Sequence, residues 1–263
     1  MSSRSGRNSR LRLVQAEKAP PRPRRRRRLK RTFFFFLLLL AAAGLALLLY
    51  KGLETFCRVE QITVSGAQRL GEEAIIDCCG VKKGTSLLLL RRRQAEQRLE
   101  QLPEIYSAAV TGAFPNRVQI RVQEREPAAS LLDRSSFWLL DREGVIFAEQ
   151  ALPAENLPVI TGASSEEIVP GKALTNGARH EALLAFLEAL SENRLLAPAE
   201  LNLEHPTDLL LYTADGRKVF LGDREKMVQK LALLWESMPH LPENGSGSSL
   251  DLRAGDRLVI IAE

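Results

Sequence analysis

Eighteen residues without a charge, Phe33-Phe-Phe-Phe-Leu-Leu-Leu-Leu-Ala-Ala-Ala-Gly-Leu-Ala-Leu-Leu-Leu-Tyr50, lie one residue behind the block Arg24-Arg-Arg-Arg-Arg28-Leu-Lys30-Arg31. As a helix the run is about 27 Å long, close to the ~30 Å hydrocarbon core of a bilayer. A core helix of a water-soluble domain needs a polar face, and this run has none. The pattern predicts a single transmembrane helix over residues 33–50. Residues 1–31 hold 13 Lys/Arg and one acid, Glu17, whereas only Lys51 and Arg58 follow closely on the other side. The positive-inside rule puts the tail, residues 1–32, in the cytoplasm and sends the remainder across the plasma (inner) membrane. A cleaved signal peptide is the rival reading: Ala41-Ala42-Ala43 offers small residues for cleavage, but Leu45 to Leu49 prolong the apolar run past it. Arg27-Arg28 also fits a twin-arginine signal, as any polyarginine block does. An uncleaved anchor accounts for the whole stretch.

The formal charge of +5 conceals two opposite parts, because residues 32–263 alone sum to −7. Such a body is a poor nucleic-acid binder. The tail, with Pro20, Pro21 and Pro23 and few apolar residues, is expected to be disordered and to be drawn to anionic headgroups. Three cysteines are too few for a disulfide framework. Cys78 and Cys79 are adjacent and cannot bridge each other without strain; burial as small apolar residues is the expectation, with a bond from one of them to Cys57 as the alternative. His180, His205 and His240 show no metal spacing. No nucleophile elbow, phosphate loop or Cys/His arrangement is present, so no catalytic, metal or cofactor residues are expected. Asp141 and Glu143 read as polar residues of a hairpin turn.

Beyond the anchor, Val59-Glu-Gln-Ile-Thr-Val64 reads as a strand closed by Ser65-Gly66, and Leu70 to Cys79 as a short helix ended by Gly80. A second helix is expected from Leu88 to Gln101, stopped by Pro103. Ile105–Ala113 and the alternating Val118, Ile120 and Val122 read as two strands about a turn at Phe114-Pro115-Asn116. The order β-α-α-β-β predicts an α+β unit, a small sheet with two helices on one face. Glu124 and Arg125 are read as a solvated strand end, and Arg91-Arg92-Arg93 as a solvated helix face. These residues, V-E-Q-I-T-V-S-G, L-P-E-I-Y-S-A-A-V and F-P-N-R-V-Q-I-R-V-Q-E-R-E-P-A-A, resemble a polypeptide-transport-associated (POTRA) domain. They are most similar to the one in the bacterial division family FtsQ, called DivIB in Gram-positive organisms. On this resemblance residues 57–127 form the POTRA domain.

Residues 128–263 read as a second, mixed α/β domain with a mainly antiparallel sheet. Phe137 to Phe147 is a hairpin turning at Asp141 to Gly144, and Leu157 to Gly162 holds a short strand. Leu183, Phe186, Leu187 and Leu190 form one helical stripe, and Leu201–Leu203, Leu209–Thr213 and Val219–Gly222 are strands. Arg224 to Met238 is an amphipathic helix with Trp235 in the core. After a linker from Pro242 to Ser249, Leu250–Arg253 and Arg257–Ile261 are expected as one terminal strand interrupted at Ala254-Gly255-Asp256. Trp138 to Phe147, Leu157 to Gly162, Leu221 to Leu231 and Leu250 to Arg253 occur in the order of the motifs of the FtsQ/DivIB β domain. The resemblance implies a non-enzymatic divisome scaffold at the septum that binds FtsB/DivIC-like and FtsL-like partners, with further division proteins meeting the POTRA domain. Carried over, the contact residues are Arg253, Ala254, Asp256, Leu258 and Val259, with Lys230 on the nearby helix; the family often has an aromatic residue where this chain has Ala254. Two other classes are a POTRA-bearing transport or secretion component and an anchored envelope enzyme. The first lacks a following β-barrel pattern and the second a polar cluster.

Overall fold

The computed structural model describes residues 25–193, 200–241 and 248–262. Helix α1, Arg25–Phe56, contains the apolar span Thr32–Leu53, with a mean hydropathy of 2.6. At 1.5 Å per residue, 22 residues cover about 33 Å, enough to cross a bilayer. The expected disorder of residues 1–32 falls partly outside the described residues, and from Arg25 onward it is corrected to helix. No proline follows Pro23 in this stretch, and Arg and Leu are good helix formers.

From Glu54 onward the chain forms one compact unit holding two sheets. In the first, β1 (Gln61–Ser65), β2 (Ile105–Ala113) and β3 (Arg117–Glu124) lie in the order β1-β3-β2, with β1 parallel and β2 antiparallel to β3. Val118, Ile120 and Val122 alternate inward along β3, against α2 (Glu72–Cys79) and α3 (Arg92–Glu100), which contribute Ile75, Cys79, Ala95 and Leu99. The second helix is thus shorter than expected. Leu87–Leu89 instead forms one 3₁₀ turn, which buries Leu87 and leaves Leu88 and Leu89 exposed. Gly66, at φ 89°, has no substitute: a Cβ there would stand 1.9 Å from the Val122 carbonyl oxygen. Cys57 and Cys79 are buried and all three thiols are free; burial pushes the Cys79 thiol up, so it stays protonated at neutral pH.

The second sheet has nine strands in the order β12-β11-β10-β9-β8-β7-β4-β5-β6. They are β4 (Ala129–Asp133), β5 (Ser136–Leu140), β6 (Ile146–Gln150), β7 (Val159–Thr161), β8 (Glu200–Asn202), β9 (Leu209–Tyr212), β10 (Lys218–Gly222), β11 (Ser248–Asp251) and β12 (Val259–Ala262). Three junctions, β4–β7, β7–β8 and β10–β11, are parallel and the other five antiparallel. Parallel neighbours need a crossover, and α4 (Gly177–Asn193) supplies it between β7 and β8, α5 (Met227–Ser237) between β10 and β11. Both helices lay their apolar stripes, Leu183, Phe186, Leu187 and Met227, Leu231, Leu234, on one sheet face. Of the expected linker, residues 242–247 lie outside the described ones, and Ser248 and Ser249 already belong to β11. The C-terminal segments are not one interrupted strand. They are two, β11 and β12, folded back on each other around a turn where Gly255 has φ 76°.

The reading of Glu124 and Arg125 as a solvated strand end is also corrected. Glu124 accepts the amides of Gln68 (2.9 Å), Arg69 (3.0 Å) and Leu70 (3.0 Å). Arg125 donates to the Pro103 carbonyl at 3.1 Å, pairs with Asp141 in the turn between β5 and β6, and stacks 5.4 Å from the Tyr106 ring. Tyr106 in turn donates to Glu143 at 3.1 Å, and Arg69 lies 4.9 Å over the Phe147 ring. The join between the sheets is a bonded polar hub rather than a linker.

Candidate functional site: an open sheet edge

Cross-strand register places one row of side chains across the helix-covered face of the large sheet: Leu131, Ile160, Leu201, Leu211, Val219, Leu250 and Ile260. The first six are buried, each at 0–1% exposure, and the last, on β12, is 51% exposed. The row ends because the sheet ends: among the described residues β12 pairs with β11 and nothing else. Its neighbours Val259 and Ile261 are also exposed, at 48% and 39%. They face the other side, in register with Asp251 and Ser249. An edge strand carries a line of unpaired amides and carbonyls, which native sheets usually blunt with charge or cover.

The other edges of this unit are blunted. At β6, the Ile146 amide donates to the Lys172 carbonyl at 3.0 Å and the Ile146 carbonyl accepts from Gly171 at 2.7 Å, before the strand runs out in exposed Glu149 and Gln150. At β2, the Val110 amide donates to the Glu96 carboxylate of α3 at 2.9 Å. Beside β1, residues 84–87 bond to residues 57–59, and exposed Gln61, Thr63 and Ser65 are polar. Among the described residues β12 is the apolar, uncovered edge.

The residues expected at a contact gather around it unequally. Arg253 and Ala254 are exposed in the turn before β12, and Asp256 follows them. The Leu252 amide donates to the Phe220 carbonyl at 2.9 Å, pinning the start of this turn to β10. Arg253 donates to both Asp251 carboxylate oxygens at 3.0 Å through Nε, and its guanidinium lies 5.4 Å from the Phe220 ring. That bonding holds the Asp251 carboxyl below the usual carboxylate range and keeps Arg253 charged. Leu258 is half-buried against the core, while Val259 opens the edge strand. Lys230 is different, at 1% exposure. Its Nζ donates to the Asp223 carbonyl at 2.9 Å and the Asp223 carboxylate at 3.1 Å, lowering that carboxyl's pKa. A Cβ on Gly255 would stand 3.8 Å from Lys230 Cε, so the lysine supports the turn from beneath. Sequence reading missed Ile260, Phe220 and Lys218. Lys218 Nζ lies 4.9 Å from the Phe220 ring, so it and Arg253 both hold that ring on the uncovered face. Alternation alone could have flagged Ile260; the other two need the register.

Among the described residues no three or more His, Cys, Asp or Glu are grouped to hold a metal ion. Asp141 and Glu143, the two carboxylates of the turn between β5 and β6, line a cleft of about 260 Å³ at the hub. Asp141 there is already bonded to the amides of Glu143 (2.9 Å) and Val145 (2.8 Å) and to Arg125.

Two family descriptions match the chain: an FtsQ-type POTRA domain over residues 57–125, and the C-terminal part of the cell division protein FtsQ/DivIB over residues 131–253. The second match stops before β12. A cell division protein FtsQ of Geotalea daltonii is 28% identical over 212 residues, covering 78% of this chain and 76% of that protein. One from Chloroflexus aurantiacus is 30% identical over 189 residues, covering 71% and 68%. Among solved structures, the major extracytoplasmic domain of DivIB from Geobacillus stearothermophilus (trans isomer) is similar to part of the chain. It is 19% identical, with a TM-score of 0.32, and covers 46% of this chain and 98% of that one. With an apolar N-terminal helix, a POTRA-type domain and a mixed-sheet domain in sequence, the chain belongs to the FtsQ/DivIB family of bacterial cell division proteins.

Proposed function

We propose that this protein is a non-enzymatic, single-pass scaffold of the division septum, with its N-terminus in the cytoplasm. It links assembly of the division machinery to septal wall synthesis by binding FtsB/DivIC-like and FtsL-like partners at β12. The observation that carries this reading is the row of buried side chains that runs out at half-exposed Ile260. A strand from a partner would continue both the main-chain hydrogen bonding and this row. Arg253, Ala254 and Asp256 then flank the added strand, Leu258 and Val259 border it, and Lys230 holds the turn in place from below.

A cut at residue 250 is a poor test, because it removes the buried core residues Leu250 and Leu252. Ending the chain after Leu258 removes β12 alone. With a purified FtsB/DivIC-like partner from the same cell, that truncation should abolish measurable binding. Ile260→Glu should weaken it roughly 5- to 30-fold, the cost of about 1–2 kcal/mol of apolar burial forgone. Unchanged affinity in both variants, with native circular dichroism, removes the edge from the mechanism.

A further inference from the structure

The smaller sheet unit exposes large apolar side chains at one end. Phe56 and Phe114 are 64% and 70% exposed, with ring centroids 6.1 Å apart; Leu88 and Leu89 are 50% and 62% exposed. Backbone bonds gather the segments that carry them. The Leu87 amide donates to the Cys57 carbonyl at 2.8 Å, Arg58 and Ser86 form an antiparallel bridge, and the Glu60 amide donates to the Asn116 carbonyl at 2.8 Å. At Gly112, near the end of β2, a Cβ would stand 2.9 Å from Leu87 and 3.4 Å from the Arg92 guanidinium, so the leucines and the arginines after them reach this same end.

The segment that carries Leu88 and Leu89 is charged with one sign. Residues 78–95 contain Lys82, Lys83, Arg91, Arg92 and Arg93, all exposed, and no acid. The three arginines border an open hollow of about 620 Å³. On the neighbouring segment, which also carries Glu54, the Glu60 carboxylate accepts from the Asn116 side chain at 2.6 Å. A clustered apolar patch with a basic border is unusual on a domain facing only water. Its place in the chain supplies the reason. The apolar span ends at Leu53, and only Glu54 and Thr55 separate it from Phe56. Two intervening residues reach at most about 10 Å, comparable with the roughly 5–8 Å headgroup layer of one leaflet.

We propose that this end of the POTRA-type domain is a membrane-docking face. Phe56, Phe114, Leu88 and Leu89 enter the boundary between headgroups and acyl chains, where aromatic side chains sit well, and the arginines that follow meet the phosphates of anionic phospholipids. The domain is then held against the bilayer at several points instead of swinging on its tether.

The test uses the full chain in vesicles of phosphatidylcholine, or of phosphatidylcholine mixed with phosphatidylglycerol, each doped with lipid brominated near its carbonyl end. Leu89→Trp and, separately, Phe114→Trp add an indole whose quenching is read as the difference from the parent chain. Both positions are exposed and lie on different segments, so a variant that fails to fold leaves the other to decide. Quenching is expected at both positions in the anionic vesicles, and less in the neutral ones. Changing Arg91, Arg92 and Arg93 to Gln should lower the docked fraction's equilibrium constant roughly fivefold per charge at low salt, and added salt should act the same way. Absence of quenching at both positions overturns the proposal. So does quenching that is equal in both lipids and indifferent to the glutamines and to salt, which indicates passive proximity. An indole shielded only as protein density rises overturns it too, assigning the patch to contact between copies of the chain.

Discussion

The Arg125 guanidinium touches three other groups at the join between the sheets, and each reports on a different part of what it does. The Arg125 side chain is 15% exposed and that of Asp141 8%, so the pair is largely withdrawn from water. Arg125→Ala leaves Asp141 with two backbone amides and no counter-charge, and leaves the Pro103 carbonyl and Tyr106 ring uncovered. A cost of about 2–3 kcal/mol is expected in urea unfolding, below the loss for a fully orphaned buried charge because the amides remain. Arg125→Lys should recover only part, since an ammonium cannot both stack on Tyr106 and reach both acceptors. Glu124 adds a pH dependence of known sign. Burial raises its pKa, but the amides of Leu70, Gln68 and Arg69 together outweigh that and hold it below the ordinary value. A carboxyl depressed in the folded state contributes stability that is fully present above its unfolded pKa, about 4.3, and is lost as pH falls through the folded value. Exchange of the amides at residues 68–70 should therefore stay slow at neutral pH and accelerate below about pH 4 relative to base-catalysed expectation. In Glu124→Gln that acid-dependent step should vanish, with a lower plateau at pH 7.

At the scale of elements, sequence periodicity carried β3, the α4 stripe and the turn between β5 and β6 faithfully, because each buries one face and leaves the other wet. It failed where burial is not one-sided. β4 was not visible: Ala129, Ser130 and Leu131 are all buried in succession, because β4 lies inside the sheet between β7 and β5. The chain from Leu88 looked helical, yet Leu87 before it is tied to Cys57, Leu88 and Leu89 turn outward, and Leu90 packs back against the core. The hairpin of β11 and β12 read as one strand, since nothing local says that the chain reverses at Gly255. Glu124 and Arg69 are 55 residues apart in the chain, and no spacing rule reaches that far. The candidate edge was legible as apolar sequence, Leu258-Val-Ile-Ile261, but its being the unblunted edge depends on what covers the others. Glu96 makes that contrast testable. Glu96→Ala removes the carboxylate that occupies the outward Val110 amide. Hydrogen exchange at Val110 should then rise by roughly tenfold, the worth of about 1–1.5 kcal/mol of a charge-assisted bond, while exchange along β3 is unchanged. Equal protection in both proteins means the edge of β2 is guarded by something other than α3.

For the whole molecule, the open question is whether the apolar span does more than hold the chain in the membrane. Its composition gives two different answers. The phenylalanines and leucines at Phe33–Leu40 are interchangeable greasy surface, the kind that lipid solvates as well as protein does. Ala41-Ala42-Ala43-Gly44, by contrast, is a run of small side chains, the surface that lets another helix approach closely. The contacts proposed at β12 and at the Phe56–Phe114 end of the POTRA-type domain lie outside the span and do not need its side chains. Replacing residues 33–50 with an unrelated apolar helix of equal length, with the basic block before it intact, should therefore preserve insertion, orientation and most of the protein's capacity to support division. The measurement is growth and septation of cells depleted of the native protein, with protease accessibility of the domains beyond the span as the check on topology. Retained division argues for a plain anchor. Filamentation despite normal insertion assigns the span a packing partner, and restoring Ala41 to Gly44 alone in the substitute helix then shows whether the small-residue run is the surface that meets it.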